Sequence, residues 1–109
     1  MPKVFATWVI TVHPGMEQEF ERFVSSWDPA GPAQEGTRLR ILKGERGGLG
    51  KYLLLNEFDS VETRDRYFPS RTQASKEAEE AARSEGFQKF ISFVEERDDA
   101  DWIALFEHN

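Results

Sequence analysis

The 109-residue sequence predicts one α+β domain, a four-stranded antiparallel sheet built from a split β-α-β repeat with its helical layers on one face. Three observations carry that prediction. Segments of period two and segments of period 3.6 follow one another in the order β-α-β-β-α-β. The strand segments are apolar on both faces, so both sides of the sheet ask for cover. Nine Phe and three Trp are a heavy aromatic load for one domain, and apolar surface is left over once a single core is filled. The helices cover one face only, and the same face of a second copy is the simplest cover for the other.

The elements follow in order. Val4 to Val12 reads V-F-A-T-W-V-I-T-V, rich in β-branched and aromatic residues, and is the first strand. Val4, Ala6, Trp8, Ile10 and Val12 make a wholly apolar face; Phe5, Thr7, Val9, Thr11 and His13 make a mixed one. His13-Pro14-Gly15 stops the strand, and Met16, Phe20, Phe23, Val24 and Trp27 then repeat at helical spacing with Glu and Arg between them. Asp28-Pro29-Ala30-Gly31-Pro32 ends this helix. Thr37 to Lys43 and Lys51 to Phe58 alternate as two strands joined by the glycine-rich Gly44–Gly50 link, an antiparallel hairpin. Asp59-Ser60 offers an N-cap for a helix through Phe68, which Pro69 breaks. The segment 72–84 has strong helix formers and almost no large apolar residue, so it predicts an exposed helix. Phe87, Phe90, Ile91 and Val94 predict a further amphipathic turn, Asp98 to Asp101 an acidic turn, and Trp102 to Phe106 the last strand.

Composition narrows the function classes. A net charge of -6 opposes binding to nucleic acid, which needs clustered Lys and Arg, and to anionic membrane surfaces. There is no cysteine, so disulfides, thiol nucleophiles and Cys-based metal sites are excluded. The two histidines, His13 and His108, have no pairing at ligand spacing, so no metal site is expected. Met1-Pro2-Lys3 leading straight into a strand does not look like a signal peptide, and no apolar run approaches membrane-spanning length; the expectation is a cytoplasmic protein. The Gly44–Gly50 run joins two strands and does not open a helix, which argues against a phosphate loop.

Two stretches resemble the antibiotic-biosynthesis-monooxygenase-like domains of the dimeric α/β-barrel superfamily. Val12-His13-Pro14-Gly15-Met16-Glu17-Gln18-Glu19-Phe20 is similar to the family's strand-end Pro-Gly followed by a helix opening with Glu and Phe. Asn56-Glu57-Phe58-Asp59-Ser60-Val61-Glu62 resembles its strand-end E-x-W-x-S-x-E stretch, with Tyr67 and Ser70 where many members carry His and Ser. The chain departs from the pattern with Asn56 for Glu, Phe58 for Trp, Tyr67 for His, and an insertion over 73–85. The resemblance implies a ferredoxin-like βαββαβ sandwich over residues 1–109 that dimerises through its open sheet face into an α/β barrel. It also implies a small, apolar or aromatic substrate oxidised with no metal or flavin cofactor, through an enolate that reacts with oxygen.

Strand parity predicts which side chains share the open face: Phe5, Thr7, Val9, Thr11 and His13, with Arg38, Arg40 and Leu42. The third strand is expected to add Tyr52, Leu54, Asn56 and Phe58, and the last strand Trp102, Phe106 and His108. By resemblance, Asn56 donates to a developing oxyanion, Arg38 or Arg40 holds it electrostatically, and Tyr52 or His13 moves a proton. Phe5, Thr7, Thr11, Arg38, Leu54, Phe58, Tyr67, Trp102 and Phe106 would line the ligand site. A non-catalytic ligand-binding or structural dimer remains open as an alternative. So does haem binding through His13, which the resemblance also allows.

Overall fold

The computed structural model describes residues 2–27, 35–67 and 83–108. Four strands form one antiparallel sheet in the order β2-β3-β1-β4: β1 Val4–Val12, β2 Thr37–Lys43, β3 Tyr52–Phe58 and β4 Val94–Ile103. The helices among the described residues are α1 Glu17–Ser25, α2 Val61–Tyr67 and α3 Glu85–Phe93. This is the ferredoxin-like α+β arrangement that the element order predicts.

The most apolar strand, β1, takes a central place, pairing with β3 on one side and β4 on the other. Its even-numbered face meets the helices. Ile10 and Val12 join Tyr52 and Leu54 of β3, Phe20 of α1, and Phe90 and Phe93 of α3 in one buried core. Phe20 is the hub: its ring stands edge-on to Tyr52 at 4.8 Å and lies 5.7 and 5.6 Å from Phe90 and Phe93. That helix-side core is why Phe20 and Phe90 are wholly buried, and each removes a large apolar area from water. The Ser84 hydroxyl caps α3 by accepting from the Phe87 N–H at 3.2 Å, and Ser60 does the same for Thr63 at the start of α2.

Two sequence expectations change here. The stretch read as a helix end, an acidic turn and a strand from Trp102 is one continuous strand, Val94–Ile103. Its acidic run has low strand propensity, yet β1 offers an unpaired ladder along its length, and pairing runs from Val4 opposite Ile103 to Val12 opposite Val94. As an edge strand it tolerates charge, which also blunts edge-to-edge association. Phe106 and His108 therefore lie beyond the sheet, both exposed, after a last bond from the Ala104 N–H to the Lys3 carbonyl.

The second correction is the parity of β3. Lys43 pairs with Tyr52 and Thr37 with Phe58, so even positions of β2 face odd positions of β3. Tyr52, Leu54, Asn56 and Phe58 consequently stand on the helix face, opposite Ile10, Trp8, Ala6 and Val4. The open face receives Leu53, Leu55 and Glu57 instead. The predicted exposed helix over 72–84 and Ser70 fall mostly or wholly outside the described residues.

Candidate functional site

The parity of β3 splits the predicted site residues between two surfaces. Phe5, Thr7, Thr11, Arg38, Arg40 and Trp102 share the open face, whereas Asn56, Tyr52, Leu54 and Phe58 stand on the helix face. His13 belongs to neither. It is exposed just past β1, where its backbone N–H bonds the Phe93 carbonyl, and it does not line the cleft described below. Tyr67 closes α2 and is half-buried. Asn56, Tyr52 and an arginine therefore do not converge, because one residue of register separates the faces.

On the helix face a cleft of about 270 Å³ opens between α1 and β2, lined among the described residues by Val24, Ser25, Trp27, Leu39 and Ile41. Its walls come from simple geometry. Leu39 and Ile41 are the inward positions of an edge strand, and Val24 and Trp27 continue the apolar stripe of α1 past its last turn. Trp27 is held between Phe23 at 5.5 Å and Phe90 at 5.2 Å, so one wall is a fixed aromatic plane. Its Nε1 is buried without a hydrogen-bond partner among the described residues. Asn56 sits directly across the ladder from Leu39 on this same face; it is half-buried, and its amide has no hydrogen-bond partner among the described residues. A recess of mixed polar and apolar lining, with the Asn56 amide next to Leu39 but outside that lining, suits a small organic molecule that carries both an apolar part and a hydrogen-bond acceptor.

Beyond the Ile41 end of the cleft, the Tyr52 hydroxyl donates to Glu21 Oε2 at 2.6 Å, and Lys43 Nζ lies 3.1 Å from the same carboxylate oxygen. Burial, then the bond to Glu21, pushes the Tyr52 phenol up to about 12. Glu21 is held below its ordinary value, first by the Tyr52 bond and then by Lys43. A phenol so engaged is a clasp between α1 and the sheet: it gives up its proton only far above neutral pH.

The open face is chemically different. Trp102 Nε1 donates to Thr7 Oγ1 at 2.8 Å, and Thr7 in turn donates to the Ala100 carbonyl at 3.2 Å. Glu57 bridges Arg40 at 3.4 Å and Lys3 at 3.6 Å. Val9, Leu42 and Trp102 are exposed there, and no cavity is needed to explain the arrangement. Among the described residues no cluster of three His, Cys, Asp or Glu side chains is placed to hold a metal ion, and no helix is long and apolar enough to cross a membrane.

Among solved structures, the fold matches a candidate antibiotic biosynthesis monooxygenase from Bordetella bronchiseptica at TM-score 0.60 and 18% identity, over 97% of this chain and 100% of that one. The chain carries the ferredoxin-like fold of the antibiotic-biosynthesis-monooxygenase-like domains. A second candidate monooxygenase of this kind, from Nitrosomonas europaea, matches at TM-score 0.61 and 10% identity, covering 98% of this chain and 94% of that one. An uncharacterised NIPSNAP domain protein from Burkholderia xenovorans matches at TM-score 0.65 and 15% identity, over 97% and 99% of the two chains. No family sequence profile and no curated protein matches the chain. Likeness at these identities concerns the fold, and the same fold hosts unrelated activities.

Of the residues that matter for the cleft, Trp27, Leu39 and Ile41 were legible as core positions but not as a site. The signal available in sequence was the position of Trp27 at the very end of an amphipathic helix, immediately before a Pro/Gly loop.

Proposed function

We propose that the protein binds a small, largely apolar molecule in the cleft between α1 and β2, and that two copies pair through the open sheet face. The observation that supports the ligand reading is a recess walled by Val24, Ser25, Trp27, Leu39 and Ile41, with the uncommitted Asn56 amide outside that lining but across the ladder from Leu39 on the same face. The reaction that suits such a site is oxygenation of an acidic CH2 group that lies between aromatic rings and is conjugated with a ketone, CH2 + O2 giving C=O + H2O. The CH2 group gives up a proton to solvent water, leaving an enolate that Asn56 stabilises by hydrogen bonding; the enolate then transfers electrons to oxygen, and the proton is returned in the water that leaves. One oxygen atom is retained as a new carbonyl and the other leaves as water, so the substrate itself supplies the electrons. This chemistry rests on the resemblance to the monooxygenase-like domains, and the binding rests on the cleft.

The test uses anthrone, a polycyclic aromatic ketone, as the probe. Binding is read by quenching of tryptophan fluorescence, and turnover by oxygen consumption. Leu39→Trp, which fills the recess, is expected to abolish quenching. Asn56→Leu is expected to retain binding and lose about a hundredfold or more in oxygen uptake, the scale of one lost oxyanion donor. Binding unaffected by Leu39→Trp would overturn the cleft as the site. Binding without any oxygen uptake in the unmodified protein would leave a ligand-binding module and remove the monooxygenase reading.

A further inference from the structure

One end of the cleft is charged. Leu39, Ile41 and Lys43 are successive inward positions of β2, so the lysine follows directly where the cleft lining stops at Ile41. Ser25, another of the cleft residues, lies one turn of α1 after Glu21. The Glu21 carboxylate reaches down from the helix to this end of β2, with Lys43 Nζ 3.2 Å from Oε1 and 3.1 Å from Oε2.

The two partners of this ion pair are held very differently. Glu21 Oε2 also accepts from the Tyr52 hydroxyl at 2.6 Å, and Tyr52 is buried with its ring edge-on to Phe20 in the core. The Tyr52 bond, then Lys43, keeps the Glu21 pKa below its ordinary value, so the carboxylate is a fixed anion at neutral pH. Lys43 is the loose partner. Its side chain is 67% exposed on a flexible four-carbon stem, and Nζ has no second acceptor among the described residues. An exposed pair of this kind contributes little and is easily exchanged. Glu17, one turn earlier on α1, adds to the negative field felt at Tyr52. The net charge of -6 acts in the same direction on any approaching ion.

The charge at this end bears on what the cleft accepts. An anionic ligand group reaching it would face Glu21, which leaves only by giving up the bond to a buried phenol. A cationic group has only to displace an exposed lysine. We infer that the ligand of the cleft is an amphipathic amine, its apolar part against Trp27, Leu39 and Ile41 and its ammonium in place of Lys43 on Glu21 Oε1. This rests on the cleft reading given above and adds to it the charge class of the ligand. The exchange replaces an exposed ion pair by one shielded from solvent by the ligand's own apolar body, where attraction is screened less.

Isothermal titration calorimetry at neutral pH tests it with naphthylmethylamine, naphthylmethanol and naphthoate, one ring system in three charge states. The amine is expected to bind about fivefold or more tighter than the alcohol, and naphthoate more weakly than either. Glu21→Gln, its folding confirmed by circular dichroism, should erase the preference for the amine over the alcohol. Lys43→Met removes the competing cation and leaves Glu21 on Tyr52; amine binding should tighten by about threefold while the alcohol is unchanged. Lys3→Met, which removes a lysine at the opposite end of the sheet, should alter none of the three affinities. Equal binding of amine and alcohol, or naphthoate as the tightest ligand, overturns the inference and leaves the cleft standing. So does a Lys43→Met protein that gains no affinity for the amine, or gains no more than Lys3→Met does. If none of the three probes binds, or if Leu39→Trp leaves their binding unchanged, the cleft itself fails, and the amine reading with it.

Discussion

Replacing Tyr52 by Phe removes one oxygen from the clasp and leaves the packing in place. The ring stays buried against Phe20 at 4.8 Å, and only the 2.6 Å bond to Glu21 Oε2 is lost. A hydrogen bond to a charged group contributes about 1.5–3 kcal/mol. Here the Glu21 side chain is 38% exposed, so water and Lys43 re-satisfy the carboxylate and the loss falls to or below the bottom of that range, about 1–1.5 kcal/mol. Urea unfolding at neutral pH measures it, and a double-mutant cycle with Glu21→Gln should return a favourable coupling, the two losses adding to more than the double mutant's. The pH dependence gives a second readout. The folded protein holds the Tyr52 phenol protonated up to about 12, against 10 in the unfolded chain. Its contribution is therefore fully present below about pH 10 and is lost as pH rises through about 12. On the acid side, Glu21 has the opposite sign: its contribution is present above its unfolded pKa and fades as pH falls through the depressed folded value. Tyr52→Phe should flatten the alkaline arm relative to the unmodified protein. A loss below about 0.5 kcal/mol, no coupling to Glu21 and an unchanged alkaline slope would together refute the clasp.

The remaining predictions concern the core on the helix face. Phe20→Ala should cost roughly 3–5 kcal/mol in chemical denaturation, a large part of the stability of a domain this size, because its ring is the contact shared by α1, β3 and α3. Gly86→Ala should destabilise by about 1–3 kcal/mol, although alanine is favoured over glycine in a helix by about 1 kcal/mol. A Cβ there would stand 2.5 Å from Trp27 Nε1, and the indole is held by Phe23 and Phe90. A raised melting temperature for the Gly86 variant would show that Trp27 is free to move.

How far the site could be read in advance differs from strand to strand. For β1 the contrast between an all-apolar face and a mixed one settles which side meets the helices, and Val4, Ala6, Ile10 and Val12 are buried there. For β3 there is no such contrast. Tyr52, Leu54 and Phe58 oppose Leu53 and Leu55, both sets are apolar, and only the ladder with β2 chooses between them. That choice moves Asn56 from the open face to the side of the cleft. For β4 the difficulty is of another kind: E-E-R-D-D-A-D carries no strand signal, and the free edge of β1 supplies the reason it is extended.

The order of elements, the α+β class, the amphipathic stripe of α1 and the unequal faces of β1 are local properties, and periodicity and propensity are enough to determine them. Register, the parity of β3 and the extent of β4 depend on which strands lie side by side. They are consequences of long-range backbone pairing, where a shift of one residue exchanges the two faces, and so only the tertiary structure decided them.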